Sequence, residues 1–240
     1  MILLLGGTAE ARELAGVLVE RGSDVLSSLA GRVSQPARPP GRVRIGGFGG
    51  ADGLAAFLAD HRVRALVDAT HPYAVRISTH AREAAARTGV PLIRLVRPSW
   101  HEHPDAGRWT WVGSPAEALE AGAGALRPFL TTGRQTLAAF RPWADRTALV
   151  RVVDPPDTPL PERWRVVRSR GPYGYDDERR LMLDHGVDLL VTKDSGGTHT
   201  AAKLAAAGDL GVPVLVLARP DTGPGYRSVA EVLARLDAIT

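Results

Sequence analysis

"VRIGGFGGADGLAAFLADHRVRALV" (Val43–Val67) and "VRSRGPYGYDDERRLMLDHGVDLLV" (Val167–Val191) align without a gap, and ten of their twenty-five positions are identical. After a shift of two residues the register resumes, with "GVPLIRLVRP" (Gly89–Pro98) against "GVPVLVLARP" (Gly211–Pro220) and six of ten positions identical. Upstream, "LLLGGTAEARELA" has a counterpart in "FLTTGRQTLAAF": an apolar run, a glycine turn and a helical pattern. Self-similarity on this scale means one module used twice. The expected organisation is a first module over 1–98, a connector over 99–126 holding Trp, His and Pro, a second module over 127–220, and a C-terminal helix within 221–240.

Each copy reads strand, helix, strand, helix, strand, helix, strand. The runs "ALVDAT" and "LLVTKD" are apolar strands that end in polar residues. Strands alternating with helices predict parallel sheets covered on both faces, with ligands at the carboxyl edges of the strands. The expected fold is therefore α/β, two Rossmann-like parallel-sheet modules related by internal duplication and facing each other across a cleft. The last stretch, "SVAEVLARLDAIT", has the pattern of an amphipathic helix with Ser228 as its N-cap.

The chain has 240 residues, of which 44% are apolar, enough for a substantial core. No segment approaches the roughly 20 apolar residues of a membrane span, and the apolar run at 2–5 is too short for a signal peptide and lacks a basic flank. These features predict a soluble, cytoplasmic protein without a membrane partner. There is no cysteine, so disulfides, thiolate zinc sites and cysteine nucleophiles are excluded. A net charge of +4 and a pI near 9.9 favour anionic partners. The basic residues are scattered, which suits an anionic small molecule better than nucleic acid. Only Lys193 and Lys203 are lysine among thirty basic residues, which draws notice to "TKDSGG".

Gly6, Gly7 and Thr8 stand where the first strand turns into a helix. Glycine there lets a phosphate approach backbone N–H groups at the positive end of the helix. Yet G-G-T-x-E-A is not G-x-G-x-x-G, and a tight turn uses glycine for its own sake, so this loop alone leaves both readings open. Glu10 falls in the first helical turn, where it would repel a phosphate unless directed elsewhere. The second strand carries Ser27, Ser28 and, just beyond it, Arg32, with no acid to grip a ribose 2′-hydroxyl. A nicotinamide cofactor here would be NADP(H), with Ser28 and Arg32 beside its 2′-phosphate.

"DATHPYA" brings Asp68, Thr70, His71 and Tyr73 to the ligand edge of the first module, where they either cap and shape a turn or do chemistry. The matching turn "TKDSGGTHT" holds Lys193, Asp194, Ser195, Gly196 and Thr198, a candidate anion cradle. In "SRGPYG", Arg170 and Tyr173 replace small or apolar counterparts in the first copy; they suit the binding of a flat, carboxylate-bearing molecule, and the stretch reads equally as a plain turn before an acidic helix start. His61 and His185 recur at the same duplicated position near a helix end and read as helix termination. "HEH" at 101–103 has no partner motif, so no metal site is expected. The Tyr-x-x-x-Lys dyad, the P-loop and the G-x-S-x-G elbow are all missing.

Taken in this order and spacing, "LLLGGTAEARELA", "DATHPYA", "SRGPY" and "TKDSGG" make the chain resemble the precorrin-6A reductases of cobalamin biosynthesis over nearly its whole length. The resemblance implies NADPH-dependent reduction of one double bond of precorrin-6A to give precorrin-6B. It implies that Gly6, Gly7 and Thr8, with Ser28, Arg32, Asp68 and Thr70, hold the cofactor. It also implies that Arg170, Tyr173, Lys193, Ser195, Gly196 and Thr198 bind macrocycle carboxylates. Tyr73, His71 and Asp194 are the candidate proton donors, beside water. Two other readings use the same loops: a non-catalytic NADP(H)-binding redox sensor, and a nucleotide-sugar-dependent transferase with two facing Rossmann-like domains. Oligomeric state and the presence of cobalt in the substrate have no signal in the sequence.

Overall fold

The computed structural model describes residues 1–31, 37–221 and 223–239. Two compact units result: Met1–Arg97 with Pro220–Thr240, and Pro98–Arg219.

In the first unit, β1 (Ile2–Leu5), α1 (Ala9–Glu20), β2 (Val25–Leu29), β3 (Arg42–Ile45), α2 (Gly50–Asp60), β4 (Ala65–Asp68), α3 (Val75–Thr88) and β5 (Leu92–Arg94) follow in chain order. The five strands are all parallel, in the order β3-β2-β1-β4-β5. Every residue of β1 is buried, as a central strand covered on both faces requires. Its side chains alternate between two cores. Ile2 and Leu4 pack with α1 and the C-terminal helix, while Leu3 and Leu5 pack with α2 and α3.

The second unit contains β6 (Thr110–Val112), α4 (Pro115–Ala121), β7 (Pro128–Leu130), β8 (Leu149–Val152), β9 (Arg165–Arg168), α5 (Tyr175–Asp184), β10 (Leu189–Lys193), α6 (Ala202–Asp209) and β11 (Val214–Leu217). Its sheet runs β9-β8-β7-β10-β11-β6, again all parallel. Apart from β6 this is the order of the first sheet, and the register repeats too. Leu26 opposes Arg42 in the first unit, as Leu149 opposes Arg165 in the second.

Several details differ from the pattern read in the sequence. Each copy has one strand more than expected, because β3 and β9 are short, largely exposed edge strands with little apolar signal. The segment 99–126 is not a plain connector: it supplies β6, which pairs with β11, and α4. The helix expected after β7 is a 3₁₀ segment, Leu137–Trp143, with Pro142 inside it. A proline there removes one amide and blocks an α-helical ladder. The C-terminal α7 (Val229–Asp237) starts at Ser228, whose hydroxyl accepts from the Glu231 amide, and it packs in the first unit.

Among the described residues, no helix is long and apolar enough to cross a membrane. His101 stacks on Trp111, and His103 lies tilted against Trp109 with ring centroids 4.9 Å apart.

Candidate functional site

In a parallel sheet of this order, the loops after the first and fourth strands leave in opposite directions and open a crevice between them. In the first unit those loops hold Gly6–Thr8 and Ala69–Tyr73. Thr8 ties them together. Its buried hydroxyl donates to the Ala69 carbonyl at 2.8 Å and accepts from the Ala11 amide at 3.0 Å, capping α1. The Thr8 side chain is thus committed to the fold and leaves the ligand to the backbone. Gly7 lies at φ +116°, and a Cβ built on it would meet nothing within 4 Å, which leaves the turn open to close approach. Gly6 has an ordinary backbone, with its amide bonded to the Ser28 carbonyl. Glu10 is neutralised: Arg97 reaches one of its oxygens through Nη2 at 2.6 Å and Nε at 2.8 Å. The acid that threatened an anion at this turn therefore presents little net charge.

At the end of β4, Asp68 is buried, and its Oδ1 accepts both the Thr70 amide and the Thr70 hydroxyl, at 3.1 and 2.6 Å. Its Oδ2 lies 3.5 Å from Arg94 Nε. His71 Nδ1 accepts the Tyr73 amide at 3.3 Å, which assigns the ring proton to Nε2 when the imidazole is neutral. Asp68, Thr70, His71, Arg94 and Arg97 line one narrow crevice at this edge.

Arg32 lies outside the described residues. The cation beside Ser28 is Arg44, which the sequence reading missed. From β3, Arg44 Nη1 donates to Ser28 Oγ at 3.1 Å and to the Gly46 carbonyl at 3.0 Å, while Nη2 donates to the Gly47 carbonyl at 3.1 Å. Its guanidinium lies 3.9 Å over the Phe48 ring, and burial lowers its pKa. The stretch "VRIGG" opens the duplicated alignment, but it was not read as a strand.

In the second unit the equivalent edge is built differently. Asp194, a proton-donor candidate in the sequence, is fully buried and accepts from Ser99 Oγ (2.6 Å), the Trp100 amide (2.9 Å), and Arg219 Nε and Nη2 (2.7 and 2.9 Å). Four donors on two oxygens fill the carboxylate, so its role is to fasten the edge. Gly196 cannot be replaced here: it sits at φ +63°, and a Cβ would fall 2.0 Å from the Pro98 carbonyl oxygen. Tyr173 also serves the scaffold. Its hydroxyl donates to the Ser169 carbonyl, its amide to the His199 carbonyl, and its ring lies 4.1 Å from the Arg151 guanidinium. Ser195 Oγ is 3.2 Å from Thr200 Oγ1. Arg170 and Thr198 are exposed on their loops. Lys193 ends β10 half-buried, and burial depresses its pKa. Thr132, at the end of β7, was not read from the sequence; its buried hydroxyl has no hydrogen-bond partner among the described residues.

Beneath these loops lies a buried charge cluster. Arg151 and Glu178 form an ion pair at 2.6 Å. Lys203 Nζ donates to the Thr200 carbonyl at 2.6 Å and lies 4.8 Å from the Trp100 ring. Burial brings the Lys203 pKa down to about 7, against the partly offsetting pull of Glu178.

The family model described as Precorrin-6x reductase CbiJ/CobK matches residues 1–237. The chain is 48% identical to a protein named Precorrin-6A reductase from Rhodococcus erythropolis, over 96% of this chain and 94% of that one. It is 49% identical to a Precorrin-6A reductase of Mycobacterium tuberculosis, over 96% and 93%. A solved structure, "CobK precorrin-6A reductase", superimposes with a TM-score of 0.92 at 38% identity, covering 99% of this chain and 96% of that one.

Two outcomes check the assignments above. Asp194→Ala should cost about 3–5 kcal/mol in urea unfolding, the scale for stranding a buried charge partner; a loss under about 1 kcal/mol would contradict the fastening role. For Lys203, the unfolded chain binds more protons than the folded chain between about pH 7 and 10.5, so its contribution to stability rises with pH across that window. The Tm of Lys203→Met minus that of the parent should therefore be largest near about pH 6 and shrink toward about pH 10. A difference that does not move with pH would contradict it.

With the match running through both units and their carboxyl-edge loops, the chain belongs to the precorrin-6x reductase CbiJ/CobK family.

Proposed function

We propose that this chain reduces one double bond of precorrin-6A to precorrin-6B in cobalamin biosynthesis, with NADPH as the reductant. Family membership supports the reaction. Identity is 40–49% to relatives named precorrin-6A reductase and 28–33% to those named cobalt-precorrin-6A reductase, which supports the metal-free macrocycle as substrate.

The observation that carries the cofactor choice is Arg44 beside Ser28. NAD-binding sheets of this order present an acid at the end of the second strand. Here β2 is "VLSSL", and a guanidinium held flat by two carbonyls and an aromatic ring stands next to it. A 2′-phosphate matches that arrangement. The open turn at Gly7 and the first turn of α1 suit the pyrophosphate, with Arg97 cancelling the charge of Glu10.

When bound, the nicotinamide supplies a hydride to one carbon of the macrocycle. The chain's part is orientation and a proton. His71, with Nδ1 accepting the Tyr73 amide, holds a proton at Nε2 and is the group suited to deliver it to the second carbon. Asp68 and Thr70 brace the same loop, and Tyr73 closes it. Lys193, Arg170, Ser195 and Thr198 meet the substrate's carboxylates, while Gly196 and Tyr173 shape the loops that carry them.

The test is NADPH oxidation followed on adding precorrin-6A. Turnover is expected, and its absence would refute the reaction. Arg44→Ala should raise the KM for NADPH about tenfold or more, the scale of one lost charge-assisted contact, and shift that for NADH by less than about twofold. An equal loss for both nucleotides would refute the role of Arg44.

A further inference from the structure

The duplication also compares the opposite, amino edges of the two sheets. In the first unit three groups meet there: the Met1 ammonium just before β1, Arg42 opening β3, and Asp24 just before β2. Asp24 lies 2.9 Å from Arg42 and 3.7 Å from the Met1 nitrogen, pairing with both. The registers map these positions onto the second unit. By strand register Pro128 takes the place of Ile2, Leu149 that of Leu26 and Arg165 that of Arg42, so Arg127 stands for Met1 and Thr147 for Asp24; the gapless sequence alignment, one residue out of step here, sets Val166 against Arg42. Both cations persist. The carboxylate between them has become a threonine.

Around these residues the second unit has a cavity of about 130 Å³, lined by Arg127, Thr147, Arg165 and His185, with Leu149 and Val187 among its apolar wall. The Arg165 side chain makes no hydrogen bond or ion pair among the described residues. Arg127 Nη1 donates to the His185 carbonyl at 3.4 Å, which covers the C-terminal end of α5. Two acids lie close. Asp188 is turned to the amides of Leu126 and Arg127, at 2.7 and 2.9 Å, and Asp184 lines the cavity from an exposed position.

We propose that this cavity is a binding site for a small oxyanion, a phosphate or a carboxylate, which takes the place that the Asp24 carboxylate occupies in the first unit. Two arginines, both solvent-exposed, about a partly apolar pocket open at the surface suit such a group. The site lies at the amino edge of its sheet, away from the carboxyl-edge loops, so its occupancy is independent of the reaction proposed above.

The full chain tests this by thermal unfolding at constant ionic strength, titrated with inorganic phosphate in one arm and acetate in the other, chloride making up the balance. In the parent, at least one of the two anions should raise Tm saturably, and which one does so tells phosphate from carboxylate. Thr147→Asp restores the missing acid. It should raise Tm without added anion and weaken the anion response at least about fivefold. Arg165→Ala should weaken the response to a similar degree without the rise in Tm. Comparing variants with the parent cancels the general effect of salting-out anions and of anions bound elsewhere. An anion response unchanged in both variants, or none in the parent, would overturn the proposal.

Discussion

The buried Thr8 hydroxyl, held between the Ala69 carbonyl and the Ala11 amide, is the contact on which the first unit's ligand edge depends. A parallel sheet leaves its strand-end loops on one side; the ladder ends with the Ala69 amide on the Leu5 carbonyl, and the Thr8 hydroxyl extends the link into the loops after β1 and β4. Asp194 does the same work in the second unit with charge instead of a hydroxyl. It gathers Ser99, Trp100 and Arg219 onto one carboxylate. A neutral clasp costs little to bury, whereas a buried carboxylate is stable only when fully partnered, and Asp194 is.

The two copies have diverged around this shared frame. The first keeps a full α-helix behind its glycine turn, and with it the positive helix end that an anion needs. In the second, Pro142 reduces that helix to a 3₁₀ segment, and charge moves into side chains: Lys193 at the strand end, Arg170 on a loop, and Arg151, Glu178 and Lys203 beneath. The first edge thus offers a helix end and the Arg44 guanidinium, the second mainly charged side chains.

The fold was largely legible, because a duplicated register of apolar and turn residues survives divergence better than any single motif. The strand runs ending in "DAT" and "TKD" put the right loops at the right edge. What the sequence could not convey was depth and pairing. Asp194 and His71 look alike as polar residues at a strand end, yet Asp194 is fully buried under four donors whereas His71 lines a crevice. Arg44 cannot be placed beside Ser28 until β3 is known to lie against β2. Thr8 looks like a ligand contact, yet both its hydrogen-bonding roles are used inside the protein. The short edge strands were missed for a related reason: exposed strands carry little hydrophobic pattern.

In the function proposed above, the first unit holds the nucleotide at the carboxyl edge of its sheet. Amide hydrogen exchange of the full chain with and without NADPH tests it most directly. New protection is expected over residues 6–11, 25–31, 42–48 and 68–78, with the carboxyl-edge loops of the second unit, 131–136 and 193–201, unchanged by the nucleotide alone. Protection centred on 131–136 and 193–201, with the Gly6–Thr8 turn unaffected, would contradict it.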